Sequence, residues 1–177
     1  MLQDFVEQIE RTARDVMDGI HTALPGKVTA FDPAKGVARV KPCGRFTTLD
    51  GKSVEYPDLT EVPVLFPFSQ TANVGIGFPV RSGDDCLVVL SEVELDQWRG
   101  GAKAEGSLRY DLSSAVAIPG LLSAGNGPAA RACALNAVVI AAGAAELVIS
   151  SGGITLNGNL SINGNVTCSG SGPWKEG

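Results

Sequence analysis

Histidine is almost missing from this chain: His21 is the only one among 177 residues. Any mechanism that needs two histidines in one chain, as paired metal ligands or as base plus ligand, is thereby excluded. Aromatics are scarce, at 6% against 22 glycines and 44% hydrophobic residues. That balance suits a slender, repetitive core better than a deep substrate pocket. Cys43, Cys86, Cys133 and Cys168 are widely spaced and form no C-x-x-C pair, so zinc-ribbon and thioredoxin-type readings fail on spacing. A chain of this length needs no disulfide staples, and reduced, partly buried thiols are expected. Long apolar runs are also missing. The most apolar segment, 137–149, contains Gly143 and Glu146 and falls short of the ~20 residues that span a bilayer. The first apolar stretch is broken by Asp4, Glu7 and Glu10, unlike a signal peptide, so a soluble protein made in the cytoplasm is expected. Finally, 14 Lys+Arg face 19 Asp+Glu, a net charge of −5. Nucleic acid is not an expected partner, because phosphate binding needs a basic surface.

What charge there is lies unevenly. Residues 1–24 hold five acidic and two basic side chains, and residues 25–120 hold twelve and ten. Residues 121–177 hold only Arg131, Glu146, Lys175 and Glu176. A solvated globular surface needs charge every few residues, so this last piece is either disordered or buried against other chains.

The first piece, 1–24, reads as a helix. Leu2, Phe5, Val6, Ile9, Ala13, Val16, Met17 and Ile20 recur at helical spacing, with charge on the other faces. Pro25-Gly26 is expected to stop it, and its only histidine, His21, would be a partly exposed helical side chain. Such a helix either packs on its own domain or docks a partner or copies of itself.

The second piece, 25–120, reads as β-rich. Strands are expected at 27–31, 37–41, 62–66, 73–80 and 86–90, the last buried on both faces, with turns at 32–36 and 81–85. Residues 92–98 suit one turn of helix. Five short strands with glycines at the bends predict a small closed barrel of the OB type. The segment 121–137 is expected to be a linker.

The third piece, 138–172, is repetitive. From Ile154 the chain falls into period six: Ile154-Thr-Leu-Asn-Gly-Asn159, Leu160-Ser-Ile-Asn-Gly-Asn165, Val166-Thr-Cys-Ser-Gly-Ser171. Apolar residues fill the first position (Ile154, Leu160, Val166) and the third (Leu156, Ile162, Cys168), and glycine the fifth (Gly158, Gly164, Gly170). Val138-Val-Ile140 and Leu147-Val-Ile149 look like looser members. Each unit is a short strand plus a sharp turn, the turn using glycine's backbone freedom. Two inward apolar groups per unit enclose no core alone, and three clear repeats are too few for a single-chain solenoid. Three chains wound together would supply six inward groups per layer and partners for the strand edges. A C-terminal trimeric, intertwined β-helix shaft is therefore expected, lined by Ile154, Leu156, Leu160, Ile162, Val166 and Cys168. Residues 173–177 would form a tip segment, in which Pro173 and Trp174 offer a possible contact.

In this order of parts the chain resembles the baseplate central-spike proteins of contractile phage tails, of the gpV and Gp138 N-terminal-domain kind. The stretches that carry the resemblance are Gly26-Lys-Val-Thr-Ala-Phe-Asp-Pro33 leading into Val37-Ala-Arg-Val-Lys-Pro42, Val62-Pro-Val-Leu-Phe-Pro67, Gly77-Phe-Pro-Val-Arg-Ser-Gly-Asp84, Val89 to Trp98 and Leu108 to Gly120. The resemblance implies an N-terminal OB-fold, a homotrimer, and a triple-stranded β-helix pointing toward the host. It implies a structural role in the tail baseplate: plugging the hub protein and helping to pierce the host envelope as the sheath contracts. Bond-making chemistry, cofactors and metals have no part in that role, and no enzyme is expected. Many relatives close their apex with an iron ion held by a His-x-His from each chain. No histidine follows His21, so this chain's own histidines cannot build such an apex. Either a separate spike-tip protein caps the shaft or the shaft closes on itself.

Two other classes share features with the chain. A hexapeptide-repeat acyltransferase shares the period and the trimer, but needs many coils and a catalytic histidine at a subunit interface. An OB-fold binding module with a flexible Gly-rich tail would need, for nucleic acid, a basic groove with stacking aromatics. Lys35, Arg39, Lys41 and Arg45 form one modest basic run, expected on solvated strand edges and turns. Gly75-Ile-Gly77 lacks the third glycine and the helix of a dinucleotide site, and Asp84-Asp85 suits a solvated turn. No catalytic triad or phosphate-binding loop is present in the sequence.

Overall fold

A computed structural model of the chain describes residues 2–18, 20–48, 51–103, 110–121, 125 and 127–167. The chain divides into two compact units, Met1–Ser123 and Ala124–Gly177.

The first unit opens with α1 (Leu2–Asp18). Arg14 and Glu10, one turn apart, form an exposed ion pair at 3.4 Å. The helix ends at Asp18, well before Pro25-Gly26. Those two residues instead lie inside β1 (Ala23–Asp32). Proline's fixed φ is compatible with extended backbone, and Gly26 sits where β1 passes closest to its neighbours. A Cβ there would lie 2.8 Å from Val40 Cγ1 and 3.2 Å from Val88 Cγ2. His21 precedes β1 and is half-buried, not helical.

β1 forms a hairpin with β2 (Val37–Pro42) around the turn expected at 32–36, where Gly36 takes φ +67°. Asp32 Oδ1 accepts hydrogen bonds from the backbone N–H groups of Ala34 and Lys35, the side-chain turn geometry that favours aspartate at this position. β3 (Arg45–Thr47) and β4 (Ser53–Glu55) make a small side hairpin. β5 (Leu59–Pro63) pairs with β2, and β8 (Asp85–Leu90) with the other edge of β1. β6 (Phe68–Ser69) and β7 (Val74–Gly75) form a two-residue ladder. α2 (Leu95–Arg99) is the single helical turn expected near 92–98, and a 3-10 turn spans Leu112–Ser114. β9 (Ala115–Pro119) then pairs with β8.

The main sheet has the order β5-β2-β1-β8-β9, all antiparallel. It curls until its edges meet: just past β5, Val64 makes a parallel bridge to Ala117 of β9, and the Leu65 N–H donates to the Ala117 carbonyl at 2.9 Å. The core inside this curl is built mainly of valine and alanine, with Val28, Val40, Cys86 and Val88 nearly or wholly sealed. Leu59 and Leu90 are the largest members of this cluster, and Phe31 and Phe66 pack against it.

Three expectations are corrected here. The segment 73–80 is not a continuous strand: only Val74–Gly75 pairs, with Gly75 close against Phe68 and the Pro67 carbonyl, and the chain then runs on without strand pairing. The fifth strand of the sheet is Ala115–Pro119 instead. β8 is not buried on both faces. Cys86, Val88 and Leu90 point into the core while Asp85, Leu87 and Val89 are half-exposed, the alternation of an antiparallel strand with one solvated side.

In the second unit, the expected linker holds a helix, α3 (Gly127–Leu135), which ends at Asn136 with φ +47°. β10 (Val138–Ala142), β11 (Ala145–Ser150) and β12 (Gly153–Asn157) follow as an antiparallel meander in that order. Gly143 (φ +65°) and Gly153 (φ +132°) serve its two turns. Residues 158–167 continue without helix or strand.

Candidate assembly surfaces

The meander has one face of aliphatic side chains. Its register places Val138 opposite Ile149, which lies opposite Ile154; the next in-phase rung is Ile140, Leu147 and Leu156. Side chains two apart on a strand share a face, so these six residues lie together with no charge among them. Leu147 is half-buried, and the other five are exposed, Ile154 as much as 71%. The opposite face carries Val139, Glu146 and Val148, each half-buried, and α3 packs beside β10. Arg131 Nε of α3 donates to Glu146 Oε2 at 2.7 Å, and Asn157 Nδ2 reaches the same oxygen at 3.4 Å.

Of the residues expected to line a shaft, the structure brings Ile154 and Leu156 onto this face. Leu160, Ile162 and Val166 are exposed in the stretch after β12. Gly158 and Gly164 take φ +138° and +146°, backbone that side-chain-bearing residues rarely adopt. Cys168, Gly170, Pro173 and Trp174 lie outside the described residues. In the sequence, Val138, Ile140, Leu147 and Ile149 read only as loose repeat members. Their shared signal was legible as apolar-x-apolar triplets at 138–140, 147–149 and 154–156, but only the register puts all three on one face.

Among the described residues of the first unit, two apolar surfaces are exposed. One is the apolar stripe of α1, where Phe5, Ile9, Val16 and Met17 lie exposed beside Gln8, Thr12 and Ala13. The other lies in the charge-free segment 62–80. Phe66 packs against Phe31 and Phe78, with ring centres 6.4 and 5.2 Å apart, while Leu65, Phe68, Val74 and Ile76 remain exposed.

The polar groups are arranged as structural ties. Lys41 Nζ lies 3.4 Å from Glu55 and 3.6 Å from Asp58 and donates to the Tyr56 carbonyl at 2.9 Å. Lys35 pairs with Glu61 at 3.2 Å, and Arg45 bonds Ser53 Oγ and the Ser53 carbonyl. Three members of the sequence's basic run are thus engaged with carboxylates or backbone. Lys27 pairs with Asp85 across β1 and β8, and that hydrogen bond and charge hold the lysine above its ordinary pKa. Burial, reinforced by Cys43 and Asp85, pushes the Cys86 thiol up to about 11. Asp111 accepts from the Ser113 hydroxyl at 2.6 Å and its N–H at 2.8 Å, which lowers the carboxyl below its usual range.

His21 stands edge-on to Tyr56, with ring centres 5.3 Å apart and the hydroxyl 3.4 Å from Nδ1. Tyr56 in turn packs on Phe46. Cys43, Cys86 and Cys133 are free thiols, Cys86 buried and the other two exposed. Among the described residues, no three His, Cys, Asp or Glu side chains cluster to hold a metal ion. No helix among them is long and apolar enough to cross a membrane.

A curled β-sheet module, carrying open aliphatic faces and polar groups tied up within the fold, defines the class. The chain belongs to the phage protein Gp138 N-terminal domain family, whose model matches residues 24–120, more than half the sequence. No curated protein matches the chain. Membership points to a phage structural protein and a virion component.

Proposed function

We propose that three copies of this chain form the central spike of a contractile phage tail or tail-like injection machine, plugging the baseplate hub and helping to pierce the host envelope. The observation that carries this reading is the aliphatic face of the meander, Val138–Ile149–Ile154 and Ile140–Leu147–Leu156. A three-stranded sheet with six uncharged aliphatic side chains on one side, five of them exposed, and two edge strands is not a finished structure in water. Three copies set about one axis bury the three faces against each other and leave the α3 side outward. Leu160, Ile162, Val166 and Cys168 extend the same apolar spacing toward the C-terminus, where interchain strand pairing builds the triple-stranded shaft. Stiffness then comes from continuous hydrogen bonding between layers about 4.8 Å apart, and the nearly uncharged exterior suits a shaft that must not adhere to what it crosses.

The base of the spike is an OB-type barrel. The circular order β5-β2-β1-β8-β9, closed by a parallel Val64–Ala117 contact, supports that reading, since the two strands at the seam run in the same direction. A baseplate location, a hub protein bound by the first unit and a separate spike-tip protein follow from the same reading. A role without catalysis or cofactor also follows from it, as does a surface that does not engage nucleic acid. The pairing of Lys35 with Glu61 and of Lys41 with Glu55 and Asp58 supports the last point.

Light scattering coupled to size exclusion tests the assembly. The full chain is expected at three times 18.2 kDa, and the full-length Leu147→Asp variant at the monomer mass, because three carboxylates cannot share a dry axis. A wild-type monomer would sink the spike and favour a binding module with a flexible Gly-rich tail.

A further inference from the structure

We propose that α1 is a second, N-terminal trimerisation element, in which the helices of three copies wind into a parallel three-stranded coil; this rests on the trimeric reading above. Val6, Ile9, Ala13 and Val16 follow one another at spacings of three, four and three. Leu2 lies four residues before Val6. This alternation is a coiled-coil seam, with Val6 and Ala13 in the a position and Leu2, Ile9 and Val16 in d.

Within the seam, Val6, Ile9 and Val16 are all exposed, as are Phe5 and Met17 at its flanks. Seam identity chooses the number of strands. β-Branched residues in d, here Ile9 and Val16, disfavour the two-stranded form and suit three. Phe5 and Met17 widen the apolar stripe beyond a narrow two-stranded contact. A closed three-fold assembly also directs all three helices the same way along its axis. At about 1.5 Å per residue α1 is only some 25 Å long, too short for a stable coil from separate peptides. Held in one assembly by the C-terminal sheets, the three helices meet at high effective concentration.

The polar face argues against a membrane as the occupant. Residues 2–18 carry five carboxylates against Arg11 and Arg14, and interfacial helices rely on basic residues to hold anionic lipid.

The test compares full-length Ile9→Cys and Arg11→Cys chains, oxidised in native buffer and resolved without reductant, with the mass of each measured in solution. The wild type sets the background from its own cysteines. The seam position is expected to give about five-fold or more interchain disulfide over the outward Arg11 position, since only seam Cα atoms come within disulfide range. A trimeric mass with equal cross-linking at both positions overturns the coil and leaves the spike standing. In that case α1 serves another protein or a lipid surface. A monomeric mass for the wild type overturns both.

Discussion

Gly26 shows how little room the β1 crossing leaves. The Cβ of an alanine would approach Val40 Cγ1, Val88 Cγ2 and the Lys41 carbonyl within 3.3 Å, and Val40 and Val88 are fully buried. Gly26→Ala is expected to lower unfolding free energy by about 1–3 kcal/mol, the usual cost of overpacking a filled core; chemical denaturation of the full chain measures it, and an unchanged midpoint would refute the tight crossing. Cys86 and Lys27 act together at alkaline pH. The folded thiol holds its proton to about 11 whereas an ordinary thiol ionises near 9.0, so above that lower value the unfolded chain binds fewer protons and stability falls as pH rises. Lys27, raised by Asp85, adds to the loss in the same direction, because its stabilisation is complete below the ordinary lysine value and disappears as pH climbs through the folded one. Melting temperature should therefore decline from pH 9 to 11, with a shallower slope in Cys86→Ala. The sequence suggests partly buried thiols, but not that Cys86 is sealed while Cys43 and Cys133 are exposed, since that depends on where the fold places each.

At the scale of elements, α3 and the meander are joined through one ion pair. Arg131 is about half exposed and Glu146 is largely covered, so Arg131→Ala is expected to cost only about 0.5 kcal/mol. Its signature is local: hydrogen exchange should quicken across Gly127–Leu135 and leave β1 and β8 unchanged. Uniform acceleration in both units would contradict this arrangement. The helix itself was hidden in the sequence because Gly127-Pro-Ala-Ala-Arg-Ala has no amphipathic stripe and reads as a linker. β9 was hidden for a related reason. Ala115-Val-Ala-Ile-Pro119 is a short run of small residues, and it became a strand through its pairing with β8 and its contact with Val64. The hairpin β1–β2, by contrast, was legible from Asp32-Pro-Ala-Lys-Gly36, whose turn chemistry acts over a few residues.

For the whole molecule, the sequence alone settled what depends on nearest neighbours: the amphipathic N-terminal helix, the β-rich middle and the near absence of charge after residue 120. It also carried the family resemblance, which the match over residues 24–120 establishes. The tertiary structure decided what depends on pairing across distance. It put Pro25-Gly26 inside a strand instead of at a helix end, made 115–119 the fifth strand, and moved His21 out of the helix to the ring of Tyr56. It also aligned three apolar triplets, far apart in reading, as two rungs on one face of a sheet. The physical reason is the two-residue period of a strand. A sequence shows which residues alternate, but a shift of register by one residue sends every side chain to the other face, and only the hydrogen-bonded partner strand fixes that register.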